Sequence, residues 1–244
     1  MENIKRFPKS TQSDSVWLRN YKGIPIKSDY RVHDAVVGIL ENIAKKSTNR
    51  LSVLDIATGS GALTQRIADS FPLWEITTND FEGQSLLTDF RRFSIDLNLQ
   101  FSRSFEKYDV ILCVEILEHL ENPWNFTREL RDLLLPGGVI ILTTPNTDSV
   151  LDRINYARYG HAFYFGEPGY INSGGHITSV PDWLMRKILE LNGFESVRLF
   201  SASTRPFIRK KLRPFFVALS LYLKITNKPY NHRSINIYLI NSPV

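Results

Sequence analysis

Short apolar runs alternate with amphipathic stretches along most of this chain, and the runs tend to end in acidic or small polar residues. Ser52 to Ile56 is apolar enough for a strand buried on both faces. The spacing from Ala62 to Phe71 predicts a helix. Glu75 to Asn79, Phe93 to Ile95, Tyr108 to Val114 and Val139 to Thr144 predict four further strands, the last entered through a Leu135-Pro136-Gly137-Gly138 turn. Helices are predicted over Val32–Lys46, over Pro123–Leu135 with proline near the start, and over Pro181–Asn192 with Gly193 at a C′ position. Glu195–Phe200 and Ser234–Ile240 read as the closing strands. Strands that alternate with helices predict an α/β domain with a largely parallel sheet.

The first strand runs into Asp55-Ile56-Ala57-Thr58-Gly59-Ser60-Gly61. Gly59 and Gly61 allow a tight turn and a close ligand approach, and a helix N-terminus with free N–H groups follows. A nucleotide-like ligand fits the carboxyl end of a parallel strand. The phosphate-cradling loop needs Lys-Ser/Thr after its last glycine, where Ala62-Leu63 stands; the dinucleotide fingerprint needs Gly or Ala where Thr64 stands. Asp55 before the turn repels a pyrophosphate and welcomes an amino group, so an amino-acid-bearing nucleoside suits the charge pattern. Taken alone, the glycines mark only a tight strand-to-helix turn. Asp80 lies at the distance beyond that turn at which a carboxylate accepts ribose hydroxyls.

In order, the Asp55–Gly61 loop, Asp80, Asp96-Leu97, the Glu115–Pro123 stretch and the Pro136-Gly137-Gly138 turn resemble the class I S-adenosylmethionine-dependent methyltransferases over about Leu51 to Phe194. The resemblance implies a Rossmann-like sheet of seven mostly parallel strands, its last strand antiparallel, with helices on both faces. It implies S-adenosylmethionine as cofactor: Asp55, Ala57, Thr58, Gly59 and Gly61 around the methionine part, Asp80 on the ribose, Phe81 against the adenine, and Asp96 with Leu97 at the adenine amino group, with Val114 and Glu115 lining the site. Ala57 stands where the family usually has glycine, which narrows the space if φ there is positive.

Glu115-x-x-Glu118-His119 places two carboxylates and an imidazole within five residues. On one helical turn they share a face that suits Mg²⁺ or Mn²⁺. The pattern is similar to metal-using members of the family, the quinone-pathway O-methyltransferases and the small-RNA 3′-end 2′-O-methyltransferases, with His176 as the match for a downstream histidine. A metal-free reading stands beside it: Glu-His at this place is common in the family, and His119 or His176 can then serve as general base. The segment 146–179, rich in Tyr, Phe, Gly and His, is long for a compact domain and reads as a substrate lid.

Composition adds two points. The single cysteine, Cys113, rules out an internal disulfide and suits a reducing cytoplasm. Residues 1–195 balance at −4, whereas residues 196–244 carry nine Lys/Arg and no acid. The stretch 205–230 interleaves cations with large apolar residues, as a helical insertion before the last strand would, or as a peripheral contact with an anionic membrane would; it is greasier than a nucleic-acid footprint needs. Met1 to Asp14 is polar and lacks the apolar core of a secretory signal. The expectation is therefore one methyltransferase domain over residues 1–244, cytoplasmic and peripheral at the inner membrane face. Gly175-His176-Ile177-Thr178, Pro181, Leu184 and Gly193-Phe194 are similar to methyltransferases associated with bacterial surface polysaccharides. The acceptor order is accordingly a sugar hydroxyl of a glycan or glycolipid precursor, then a quinone precursor, then an RNA 3′ end. A cofactor-binding partner subunit without catalysis is the non-enzyme alternative, and a nicotinamide oxidoreductase the other enzyme class.

Overall fold

The computed structural model describes residues 19–47, 50–81, 85–172, 174–194, 197–202, 213–225 and 235–242. Half of the basic stretch before the last strand, residues 205–212 and 226–230, lies outside these, as do Met1–Asp14, Glu195 and Ser234.

A small hairpin, β1 (Asn20–Tyr21) and β2 (Ile24–Pro25), leads into helix α1 (Tyr30–Ala44). Then come β3 (Ser52–Asp55), α2 (Ala62–Ser70), β4 (Glu75–Asn79), β5 (Arg91–Phe93) and β6 (Tyr108–Val114). A 3₁₀ turn (Leu117–His119), α3 (Pro123–Asp132) and β7 (Leu134–Pro145) follow, and the chain closes with α4 (Val150–Tyr159), α5 (Gly166–Asn172), α6 (Asp182–Leu191), β8 (Val197–Ala202), α7 (Arg213–Ile225) and β9 (Ile235–Asn241). The seven-stranded sheet has the order β5-β4-β3-β6-β7-β9-β8. β9 runs antiparallel to both neighbours, and the pairings among β3 to β7 are parallel.

Strand β6 shows why a central strand reads as an apolar run, here Val110 to Val114. Val110, Leu112 and Val114 point into one core with Val36, Leu40, Leu63 and Ile67 of α1 and α2. Ile111 and Cys113 point into the other, with Phe126, Leu130, Met185 and Ile188 of α3 and α6. Side chains alternate faces with period two, so a strand covered on both sides is apolar at every position. Cys113 is fully buried, and burial pushes its thiol well above the usual range. It packs as a small hydrophobe.

Several boundaries differ from the sequence expectation, among them α1, at Tyr30–Ala44 rather than Val32–Lys46, and β8, which ends at Ala202 rather than Phe200. The third sheet strand is Arg91–Phe93, two residues earlier than expected. Strand β7 starts at Leu134 and takes the Pro-Gly-Gly run within it: Tyr108 pairs with Leu134, and the register shifts before Val110 meets Val139. Gly137 supports that excursion at φ +78°. Helix α3 ends at Asp132, giving Leu134 and Leu135 to the strand. Segment 146–179 contains α4 and α5. Ser149 caps α4, accepting from the Asp152 N–H, and Gly160 closes it at φ +78°.

Candidate active site

The parallel strands end on one edge, so Asp55, Asn79 and Val114-Glu115 come side by side there. They line a cleft of about 920 Å³ whose other wall is Lys27 to Asp29 and His33 at the start of α1, and Tyr164, Asn172 and Gly174 to His176 from the segment after β7.

Asp55 is 1% exposed and accepts from the Thr64 hydroxyl and the Ala57 N–H. Burial nevertheless pushes its carboxyl up to about 6, and nearby Asp80 adds to the rise. The Thr58 hydroxyl donates to the Asp55 carbonyl at 3.1 Å, which tightens the turn. Gly59 sits at φ +55° with open space where a Cβ would be. Gly61 serves differently: at φ +92° it is the N-cap of α2, and a Cβ would meet Leu87 Cγ at 2.5 Å. It does not line the cleft, so its place is in the turn. Ala57 is not among the described residues with positive φ, so alanine costs no backbone strain there.

Asp80 is nearly buried and accepts from the Ser85 N–H at 3.0 Å, with Arg92 at 3.8 Å. Phe81 is 60% exposed at the rim, a flat apolar face open to the cleft. Asp96 and Leu97 close that end, the Asp96 carboxylate accepting from the Asn98 N–H at 2.9 Å. Two residues were missed at sequence level. Thr64, read only as a mismatch to a dinucleotide fingerprint, is the hydroxyl that satisfies Asp55. Asn79 ties the ends of two strands together, donating to the Ile56 and Ile95 carbonyls at 3.1 and 3.2 Å and accepting from the Ile95 N–H at 2.9 Å. Its place before Asp80 was the available signal.

The acidic cluster departs from the expectation of one helical face. Glu115 precedes the 3₁₀ turn at φ +51°, a left-handed conformation costly for a side chain of this kind. A closed pair of bonds holds it: its N–H donates to Thr143 Oγ1 at 2.9 Å, and that hydroxyl donates to Glu115 Oε1 at 2.8 Å. Glu118, His119 and His176 instead converge, each offering a ligand atom within 4.8 Å of the others. Glu115 is outside this group. The His119 and His176 rings meet edge-on with centroids 4.7 Å apart. Glu118 is fully buried; its Oε2 accepts from the Thr144 hydroxyl at 3.1 Å, and its Oε1 has no hydrogen-bond partner. Burial and the Glu115 charge push its carboxyl well up.

His176 reaches this point because its segment is stitched down. The Ile177 and Thr178 N–H groups donate to the Glu118 carbonyl at 2.9 and 3.0 Å, and the Thr178 hydroxyl donates to the Leu120 carbonyl. The Tyr164 carbonyl lies 3.1 Å from His176 Nδ1 and so takes that nitrogen as a donor, leaving Nε2 with the lone pair. Burial, with His119 adding, lowers the His176 pKa to about 4, so the ring is neutral at physiological pH. At the opposite wall Asp29 Oδ2 and His33 Nδ1 are also buried without partners. These orphaned polar atoms suit a polar, cationic ligand in the cleft.

Comparison with known proteins agrees with this geometry. A family described as a methyltransferase domain matches residues 29–199. The chain belongs to that family. The ubiquinone biosynthesis O-methyltransferase of Histophilus somni is 32% identical over 107 residues, covering 38% of this chain and 44% of the relative. The protein of that name from Coxiella burnetii is 27% identical over 104 residues, covering 38% and 43%. The chain thus spans less than half the length of these curated relatives. Among solved structures, a SAM-dependent methyltransferase from Archaeoglobus fulgidus superposes with TM-score 0.59 at 15% identity, covering 86% of this chain and 94% of that one. The plantazolicin methyltransferase BamL, solved in complex with a triazolic desmethylPZN analogue and SAH, gives TM-score 0.59 at 16% identity, covering 88% and 86%. These likenesses establish for the methyltransferase-domain chain a Rossmann-like class I methyltransferase fold.

Proposed function

We propose that this methyltransferase-domain protein moves the methyl group of S-adenosylmethionine to one of two neighbouring hydroxyls on a ring-shaped acceptor, a diol of the quinone-precursor type. The observation that carries the reading is the convergence of Glu118, His119 and His176 at one end of a cleft whose other end has the carboxylates for a cationic nucleoside. In this reading Asp80 takes the ribose, Phe81 the adenine face, Asp96 the adenine amino group, and the Asp55–Ser60 turn the methionine part. The curated relatives favour this acceptor over the sugar hydroxyl that leads at sequence level.

Transfer is an in-line displacement: the C–O bond forms as the C–S bond breaks, the sulfonium becomes a neutral thioether, and the hydroxyl proton leaves. Positioning supplies much of the rate. The neutral His176 ring is suited to take the proton. Glu118, His119 and His176 also fit a hard divalent cation, since Glu118 Oε1 is orphaned and His176 Nδ1 is fixed by a carbonyl, as in metal-ligating histidines. Mg²⁺ or Mn²⁺ held there would lower the pKa of a bound hydroxyl.

The test is turnover of labelled S-adenosylmethionine on a panel of catechols and sugar diols, with chelated and Mg²⁺- or Mn²⁺-supplied protein. Methylation of catechols, with His176→Ala lowering kcat about 100-fold at unchanged cofactor affinity, is expected. Turnover on sugars alone restores the glycan reading, and cofactor binding without turnover on any acceptor favours a partner subunit.

A further inference from the structure

Helix α7 is apolar on both faces. Of its 13 residues only Arg213, Ser220 and Lys224 are polar. Phe216, Leu219 and Leu223 pack onto Val150 and Ile154 of α4 and satisfy the inward stripe. The opposite face, at helical spacing, is Val217, Ala218, Leu221 and Ile225; Val217, Leu221 and Ile225 are 63%, 55% and 72% exposed. Phe215, beside it, is 53% exposed. A surface helix ordinarily turns charged residues outward, and contiguous exposed apolar surface marks an interaction face.

Charge indicates what covers it. From residue 196 onward the chain has nine Lys/Arg and no Asp/Glu, while the rest is net acidic. Arg205, Arg209, Lys210 and Lys211 precede α7 in sequence, Arg213 opens it, Lys224 lies in its last turn and Lys228 follows it. Greasy residues bracketed by cations are the composition of an element that lies in a lipid interface. At 13 residues the helix is about 20 Å long, too short to cross, and no helix among the described residues is long and apolar enough to do so. A second copy docked face to face would bring two such cationic segments together, which their charge opposes.

We infer that the outer face of α7 seats the protein on an anionic lipid surface, its apolar side chains among the acyl chains and its flanking cations at the headgroup phosphates. The seat has a consequence for the cleft. α7 rests on α4, and the segment that begins with α4 carries Tyr164 and His176 into the cleft wall. A surface bound to α7 is thereby joined, through α4, to the segment that lines the cleft wall. The inference holds whichever hydroxyl is methylated.

Flotation of the full chain with phosphatidylglycerol-containing and pure phosphatidylcholine vesicles tests it. Binding about tenfold stronger to the anionic vesicles is expected, and weakened in about 0.5 M salt. The pair Leu221→Glu and Ile225→Glu should lower it about tenfold while S-adenosylmethionine titration and circular dichroism stay unchanged. Leu221→Ser with Ile225→Ser serves the same purpose should the glutamates disturb folding. No flotation on anionic vesicles, or flotation indifferent to both pairs, overturns the inference. So does a lipid-free dimer, or a complex with an acidic protein, that these substitutions dissolve.

Discussion

Single side chains at the strand ends carry opposing electrostatic loads. Asp80→Ala removes the carboxylate proposed to hold two ribose hydroxyls. Two charge-assisted bonds are worth about 3 kcal/mol, so cofactor affinity should fall about 100-fold in a calorimetric titration while the fold persists. Thr64→Val deprives Asp55 of its hydroxyl donor and should cost about 2 kcal/mol of stability, read by urea denaturation. His33 acts through protonation. Burial, with Arg66 adding, lowers its pKa to about 4 from an ordinary 6.5. The unfolded chain therefore binds more protons between those values. His33 contributes stability above pH 6.5 that is lost as pH falls toward 4. His33→Leu should flatten that part of the stability-against-pH curve; an unchanged slope would show that another group is responsible.

Elements explain how much could be read in advance. Strands β3 and β6 were legible because burial on both faces leaves short apolar runs, Val53-Leu54 and Val110 to Val114, and the acids that end or follow them stood out; β4 holds one apolar residue, Ile76, and was marked by its β-branched Ile76-Thr77-Thr78 run and by Asp80 after it. Strand β5 was displaced because Arg91 and Arg92 look like loop residues; it is an edge strand, free to carry them. The start of β7 was hidden by Pro136-Gly137-Gly138, which breaks the period without ending the strand. The meeting of His119 with His176 depends on the Ile177 and Thr178 bonds to Glu118, a backbone contact that leaves no mark in composition. Asp152 does a similar job inside the segment, accepting from the Ser149 hydroxyl and from the Phe163 N–H at 2.7 Å while 4% exposed. Asp152→Ala should loosen the turn between α4 and α5, raising hydrogen exchange over residues 149–165 and lowering turnover with cofactor affinity held within about twofold. A matched loss of cofactor affinity would mean that the segment also supports the nucleoside end.

Across the whole molecule, charge is sorted by place. The cleft collects Asp29, Asp55, Asp80, Asp96, Glu115 and Glu118, while the strong excess of cations belongs to the last fifth of the sequence, around α7. Burial makes these carboxylates resist ionisation, and the charge of a neighbouring acid adds to it; Asp55 at about 6 and the raised Glu115 and Glu118 show that load. A ligand bearing a sulfonium and an ammonium relieves it, so binding favours the ionised carboxylates. The sign follows: a group whose pKa falls on binding gives up a proton when the pH lies between its bound and free values. S-adenosylmethionine binding near pH 6 should therefore release protons, seen as a dependence of the calorimetric heat on buffer ionisation enthalpy. Affinity should rise with pH through that region as Asp55 ionises. Proton uptake, or heats independent of buffer near pH 6, would mean that the cofactor's positive groups lie away from these acids, and the assignment of the Asp55–Ser60 turn to the methionine part would fall with them.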